Sequence, residues 1–305
     1  MSKSNLQIDL EYGVVRFMLA VFASMPLRAA LRIGASLAVC FSWCAGRLRH
    51  TGERNLGIAF PELSIGERRL LLRRTFGNLG RLLGVFSQFT KQPENLLEII
   101  DRDGFEYLAA AKQAGRGIIL FTGHVGAWEL SSFALSLFGH PLSFLVRRID
   151  NPKIEAMIDR ARTHLGNRTI DKRSAAREMM EILRAGETLG ILVDLNTLDR
   201  EGIFVDFFGR PASTTFMVAK LALRTGAAVL PVFAPWDKER GCFLLKVDPP
   251  LLIERTGNEQ EDVRRLTQQY TRIVEDYVRR YPDQWLWIHR RWKTRPPGEP
   301  EIYGR

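Results

Sequence analysis

From residue 104 onward the chain alternates between short apolar runs of β type and stretches of helical spacing, and this alternation limits the folds open to it. The runs are GIILF (117–121), LSFLV (142–146), TLGILV (188–193), AAVLPVF (227–233) and FLLKV (243–247). Between most of them lie helical patterns at 128–137, 152–165, 175–183 and 215–224. Strand alternating with helix predicts an α/β fold with a mainly parallel sheet flanked by helices. A last long helix is predicted over about 261–281, where Val263, Leu266, Tyr270, Ile273, Val274 and Tyr277 recur at apolar spacing. Ser64 followed by Glu67 is a capping-box start for an earlier helix. No internal repeat and no low-complexity linker interrupts this pattern.

In an open α/β sheet, active sites gather beyond the C-terminal ends of the strands. The segment after GIILF reads Thr122, Gly123, His124, Val125, Gly126, Ala127, Trp128, Glu129. On one continuous helix His124 and Glu129 would point about 140° apart, at about 100° per residue. A turn at Gly123 and Gly126 removes that obstacle, with His124 leaving the strand and Glu129 in the first turn of the next helix. An imidazole is suited to take a proton from an alcohol near neutral pH, and a carboxylate on its other nitrogen fixes the tautomer. The bland alternative is a loop histidine beside an unrelated surface acid. The sequence contains no G-x-S-x-G elbow, P-loop, H-E-x-x-H or G-x-G-x-x-G. A histidine base without a nucleophilic side chain suggests direct attack by a substrate hydroxyl. The other histidines, His50, His140, His164 and His289, lack metal spacing, and neither a metal nor a cofactor is expected.

The most apolar part of the chain lies at 12–46, where runs of 11 residues (17–27) and 14 residues (33–46) are divided by Arg28 and Arg32. Each is shorter than the roughly 18 to 20 apolar residues that cross a bilayer. Two readings are open: a pair of core helices, or a helical hairpin lying in or dipping into a membrane, broken at Pro26. Arg47, Arg49, Arg54, Arg68, Arg69, Arg73, Arg74 and Arg81 follow, against Glu53, Glu62 and Glu67. An arginine excess beside apolar helices favours a membrane-associating segment over 1–46 and an α/β domain over 47–305. With 44 Lys plus Arg against 34 Asp plus Glu, the net charge of +10 calls for a polyanionic partner. Nucleic acid is disfavoured, since the aromatics cluster in apolar segments and no recognition module is visible. Cys40, Cys44 and Cys242, odd in number, are read as reduced thiols.

Several motifs together resemble the bacterial lipid A biosynthesis acyltransferase family, the late acyltransferases that include lauroyl and myristoyl enzymes. His124 and Glu129 match its H-x4-D/E catalytic motif. Arg147 in LVRRIDNP stands three residues before Asp150-Asn151-Pro152, as in the family, and Arg162 resembles a further arginine in the next helix. Asp194 at the end of ILVD resembles the family's acid after the next strand, although Leu195, Asn196 and Thr197 follow where many members have Gln-Asp or His-Asp. Phe207-Phe208-Gly209 with Ala212-Ser213-Thr214-Thr215, and the terminal run from Gln284 to Lys293 with Arg295-Pro296, complete the likeness. It extends from about Arg54 to the C-terminus.

Read by themselves, these motifs keep plain alternatives. Arg147 and Arg148 adjoin on an expected strand, so one is expected to clamp a phosphate while the other faces solvent. Asp194 is expected either to orient Arg147 or to cap the next segment. Ser213, Thr214 and Thr215 read as an N-cap or an anion site. The run carrying Trp285, Trp287, Trp292, Arg290, Arg291, Lys293 and Arg295 reads as a grip for headgroups or carrier acid, or as a tail packed on the last helix. The resemblance implies acyl transfer from an acyl carrier protein thioester to a hydroxyl of a phosphorylated glycolipid, a Kdo-bearing lipid A precursor, at the cytoplasmic face of the inner membrane. His124 would be the base, Glu129 would orient it, and backbone N–H groups at the start of the helix after Gly126, or a nearby basic side chain, would meet the oxyanion. Rival readings are the same chemistry on a phosphatidylinositol mannoside or an aminoacyl lipid, or a non-catalytic protein that binds anionic lipid.

Overall fold

The computed structural model describes residues 4–89, 91, 93–171, 175–198 and 201–304. Four helices lead: α1 (Asn5–Ser24), α2 (Leu27–Cys44), α3 (Gly46–Ala59) and α4 (Ile65–Gln88). Pro26 stands between α1 and α2 as the N-cap of α2, where its fixed φ and missing N–H end one helix and start the next. The capping box at α4 forms as expected, with Ser64 and Glu67 satisfying each other's backbone N–H groups.

The α/β part then runs β1 (Ile100–Asp103), α5 (Phe105–Gln113), β2 (Ile118–Thr122), α6 (Trp128–Leu137), β3 (Ser143–Val146), α7 (Pro152–Thr163), β4 (Arg168–Asp171), α8 (Ala175–Arg184) and β5 (Thr188–Leu192). A hairpin of β6 (Gly202–Phe207) and β7 (Arg210–Thr215) intervenes before α9 (Met217–Thr225), β8 (Ala228–Phe233), β9 (Trp236–Asp237), β10 (Cys242–Val247) and α10 (Glu259–Arg280). The main sheet has the order β1-β10-β8-β2-β5-β3-β4, with β9 paired to β10. All its pairings are parallel except β10 with β8 and with β9. The sheet is therefore of the mainly parallel, helix-flanked kind that the alternating sequence predicts.

Side chains alternate across the sheet into two apolar layers. Ile119 and Phe121 of β2 face one layer with α9 and α10, whereas Ile118 and Leu120 face the other with α5 and α6. Burial on both faces explains why β2 reads as an unbroken apolar run. Three features had no such signal. β1 (IDRD) and β4 (RTID) are short and polar edge strands, and β7 (RPASTT) occupies the stretch read as an N-cap. Central β2 pairs with β5 on one side and β8 on the other, so the ends of β2 and β5 lie next to each other.

Candidate active site

Two residues past β2 stands His124, and two residues past β5 stands Asp194. The parallel register Thr122↔Leu192 carries both overshoots to the same place. Asp194 Oδ1 lies 2.7 Å from His124 Nδ1, and its Oδ2 accepts the His124 backbone N–H and the Trp285 Nε1–H, each at 2.7 Å. Burial alone would push this carboxyl up, but the charge and hydrogen bonds of His124 and the Trp285 bond outweigh it and bring it to about 2. An ionised Asp194 makes Nδ1 the protonated ring nitrogen and leaves the Nε2 lone pair free.

The loop bearing His124 is held on every side. Gly126 has φ of 65°, and a Cβ there would lie 2.2 Å from the Ala234 carbonyl oxygen, so the turn requires glycine. A Cβ at Gly123 would stand 3.0 Å from Asp194 Oδ2. The Gly126 N–H donates to Gln284 O, the Ala127 N–H to Ala234 O, and the Leu286 N–H to His124 O. Both glycines thus do what the sequence reading asked of them. The N–H groups of Gly126 and Ala127, however, are already bonded and are not available to an oxyanion. The first N–H groups of α6, from Trp128 on, have no side-chain cap at Ala127.

His124 opens into a cavity of about 770 Å³ shared with Glu129, Arg147, Arg162 and His289, whose walls include Leu135, Phe144 and Met179. Four of the five expected site residues therefore line one space, while Asp194 lies behind His124 with its side chain 1% exposed. The pairing differs from expectation. Glu129 does not orient His124: it takes a two-pronged grip from Arg162, at 3.1 Å from Nε and 2.5 Å from Nη2. Burial acts to lower the Arg162 guanidinium, but the bond to Glu129 and its charge prevail, so its pKa is raised. Asp194 in turn does not orient Arg147, and its enclosure keeps it from touching a substrate. The reason is topological: β5 adjoins β2, so the acid at its end meets the histidine, whereas the first turn of α6 faces the last turn of α7.

Arg147 is exposed at the cavity after β3, and Arg148 turns away to Asp171 at 2.9 Å. Both follow the strand rather than lie on it, since β3 ends at Val146. His289 was not singled out by the sequence. Its Nε2 accepts the Asn196 N–H at 3.1 Å, and burial is the main cause that brings it down to about 4, so it is neutral at pH 7. Trp285 was also missed as the donor that anchors Asp194; no sequence signal separates it from its neighbours.

The reading of the C-terminal run as a headgroup grip is corrected. Trp285, Trp287, Trp292 and Arg291 are all 0–1% exposed and belong to the interior. Arg291 donates to the Ser213 carbonyl oxygen at 2.7 Å and reaches Thr214 Oγ1 at 2.5 Å. Burial lowers its pKa to about 10. Ser213 and Thr214 are thereby buried partners of an arginine within β7, not an anion site.

The chain matches the family described as bacterial lipid A biosynthesis acyltransferase over residues 4–294. Among curated proteins it is similar to a lipid A biosynthesis acyltransferase of Haemophilus influenzae, 24% identical over 284 residues, covering 93% of this chain and 87% of that one. A lipid A biosynthesis lauroyltransferase of Escherichia coli is 27% identical over 285 residues, covering 92% and 90%. The myristoyltransferase of the same organism is 24% identical over 266 residues, covering 86% and 81%. Among solved structures, the 1-acyl-sn-glycerophosphate acyltransferase of Thermotoga maritima aligns with a TM-score of 0.35 and 16% identity, over 80% of this chain and 96% of that one. The chain is an acyltransferase and belongs to the bacterial lipid A biosynthesis acyltransferase family.

Proposed function

We propose that the protein transfers a fatty acyl group from an acyl carrier protein thioester to a hydroxyl of a phosphorylated, Kdo-bearing lipid A precursor, at the cytoplasmic face of the inner membrane. The observation that carries this reading is the His124–Asp194 pair opening into a cavity with apolar walls and arginines at its edge. In the mechanism, His124 Nε2 takes the proton of the acceptor hydroxyl and the oxygen attacks the thioester carbonyl. Asp194 holds the tautomer and offsets the imidazolium charge. The tetrahedral oxyanion meets the N-terminal end of α6, where unpaired N–H groups and the helix dipole favour negative charge. Collapse breaks the carbon–sulfur bond, and the imidazolium returns its proton to the departing thiolate.

In this mechanism Glu129 and Arg162 act as one unit. Their ion pair ties α6 to α7 beside the reacting centre and fixes the direction from which the acceptor approaches. Arg147, exposed and with its charge free to face the cavity, is assigned to an acceptor phosphate. The net charge of +10 suits a phosphorylated acceptor, an acidic carrier and an anionic membrane alike. The test is incubation of the purified protein in detergent with acyl carrier protein thioesters and a panel of lipid acceptors, read by mass spectrometry. An acylated Kdo-bearing precursor is the expected product. Acylation of a phosphatidylinositol mannoside or an aminoacyl lipid instead, or of no acceptor, would reject the assignment.

A further inference from the structure

α2 is the one described helix long and apolar enough to cross a membrane, at 18 residues, yet its packing ties it to the body of the protein. It runs antiparallel along α4 with the backbones nearly in contact. A Cβ on Gly34 would fall 2.3 Å from Gly80 O, one on Gly80 would fall 2.0 Å from Gly34 O, and one on Gly84 would fall 2.9 Å from Ala30 O. Ala30 and Gly34 on α2 face Gly80 and Gly84 on α4, a small-xxx-small pair that admits close approach. Leu27, Ala30, Leu31 and Gly34 are buried along this seam. α4 in turn is fixed to the domain, with Leu72, Phe76 and Val85 in the two apolar layers. Its outer side carries Arg69, Arg73 and Arg74, all exposed, so α4 cannot accompany α2 through hydrocarbon.

The opposite side of α2 is bare. Ile33, Leu37 and Phe41 follow one another at i+4 along one flank of the seam, Trp43 stands further round the exposed side, and Leu37, Phe41 and Trp43 are 56–64% exposed. α1 shows a second stripe, Leu6, Leu10, Val14 and Phe17, at 57–80% exposure. Around these stripes stand exposed Arg16, Arg28, Arg32 and Arg47. We propose that the outer sides of α1 and α2 form one face that beds into a single leaflet of an anionic bilayer, with neither helix crossing it. Apolar stripes bordered by arginines fit acyl chains below anionic headgroups. A membrane-spanning α2 would have to leave α4 and strip the glycine seam.

The face is also tied to the cavity. Asn151, which caps α7 just after the Arg147 loop, donates through Nδ2 to Ile8 O at 2.9 Å and to Glu11 Oε2 at 3.0 Å, and Lys153 pairs with Asp9. A helix lying on the leaflet is thus bonded to the segment that presents Arg147, which sets the site at the lipid surface. The inference rests on the membrane setting of the proposed function, but not on the identity of the acceptor.

The test uses the full chain made in bacterial cells, with Cys40→Ser and Cys44→Ser and one new thiol, either Ser4→Cys ahead of α1 or Glu239→Cys in the exposed turn before β10. Inverted and right-side-out membrane vesicles are treated with a membrane-impermeant maleimide. Both thiols should label in the same vesicle orientation; labelling in opposite orientations would show that the chain crosses and would overturn the proposal. In a second arm the natural thiols serve as probes, since Cys40 and Cys44 are both exposed on α2. Vesicles of phosphatidylethanolamine and phosphatidylglycerol should slow their alkylation at least about tenfold, as burial below the headgroups would. An unchanged rate with the protein bound to the vesicles would place the contact elsewhere. Neither readout depends on acyl transfer, so a failed acceptor assignment leaves this result standing.

Discussion

Two carboxylates serve the same cavity in opposite ways. Asp194 is enclosed, accepts three hydrogen bonds, and stands behind His124 rather than in the cavity. Glu129 lines the cavity with 26% of its side chain exposed and is neutralised by Arg162. In the proposed mechanism one fixes the proton carrier and the other fixes a wall. An acid's distance in sequence from a histidine therefore says little about which acid orients it. Glu129 is five positions from His124 and Asp194 is seventy, yet β2 and β5 are neighbours and the far acid reaches the ring.

The largest effects should come from His124→Ala and Asp194→Asn. The amide would favour the wrong imidazole tautomer and turn Nε2 into a donor, so kcat should fall by about 10³ to 10⁴, as when a buried acid behind a catalytic histidine is neutralised. His124→Ala should lose at least about 100-fold with the fold retained, checked by circular dichroism. Glu129→Gln should cost less than Asp194→Asn, about 10- to 100-fold, because it loosens a wall without changing the base. If that role is right, Arg162→Ala should match Glu129→Gln, and the double variant should be no worse than either.

Arg147 sharpens the contrast from the substrate side. Arg147→Ala should mainly weaken turnover of phosphorylated acceptors, and Lys should restore only part of it. In a double cycle of kcat/KM over enzyme and acceptor, the coupling should exceed about 1 kcal/mol. Additive losses would move Arg147 out of the acceptor site.

The smallest effect concerns pH. His289 is lowered to about 4 in the folded chain against about 6.5 unfolded, so between those values the unfolded state binds the extra proton. Stability should therefore be full above about pH 6.5, fall as pH drops towards 4, and level off below, by up to about 3 kcal/mol. Asp194, depressed to about 2, adds stability that is lost only below about pH 4. His289→Gln should flatten the Tm profile between pH 4 and 6.5 relative to the parent. A parallel profile in the variant would mean that other groups carry the acid sensitivity.

Much of this was legible in the chain itself. The apolar runs of β2 and β8 announce themselves because a strand buried on both faces must be apolar throughout, and β3, β5 and β10 show because they are mostly apolar. α6 through α10 show their helical spacing for a related reason. Edge strands β1 and β4 do not, since they are short and half solvated. At the site, the glycine turn around His124 was legible from Gly123 and Gly126. The partner of His124 was not, because strand order is set by packing between distant segments that leave no local mark. The same holds for two aromatic and basic runs that read alike. Trp285, Trp287, Trp292 and Arg291 vanish into the core, while Phe41 and Trp43 remain outside. What decides between them is partners: Arg291 finds a carbonyl and a hydroxyl on β7, and α2 has only its glycine side engaged.

Whether Asp194 works through His124 is decided by comparing kcat/KM for His124→Ala, Asp194→Asn, their double variant and Glu129→Gln, on one acceptor and one acyl thioester. If Asp194 works through His124, the double variant should be about as impaired as the worse single one, with Glu129→Gln distinctly more active than Asp194→Asn. A folded Asp194→Asn enzyme with near-parental activity, beside an inactive Glu129→Gln, would contradict it and make Glu129 the carboxylate on which the chemistry depends.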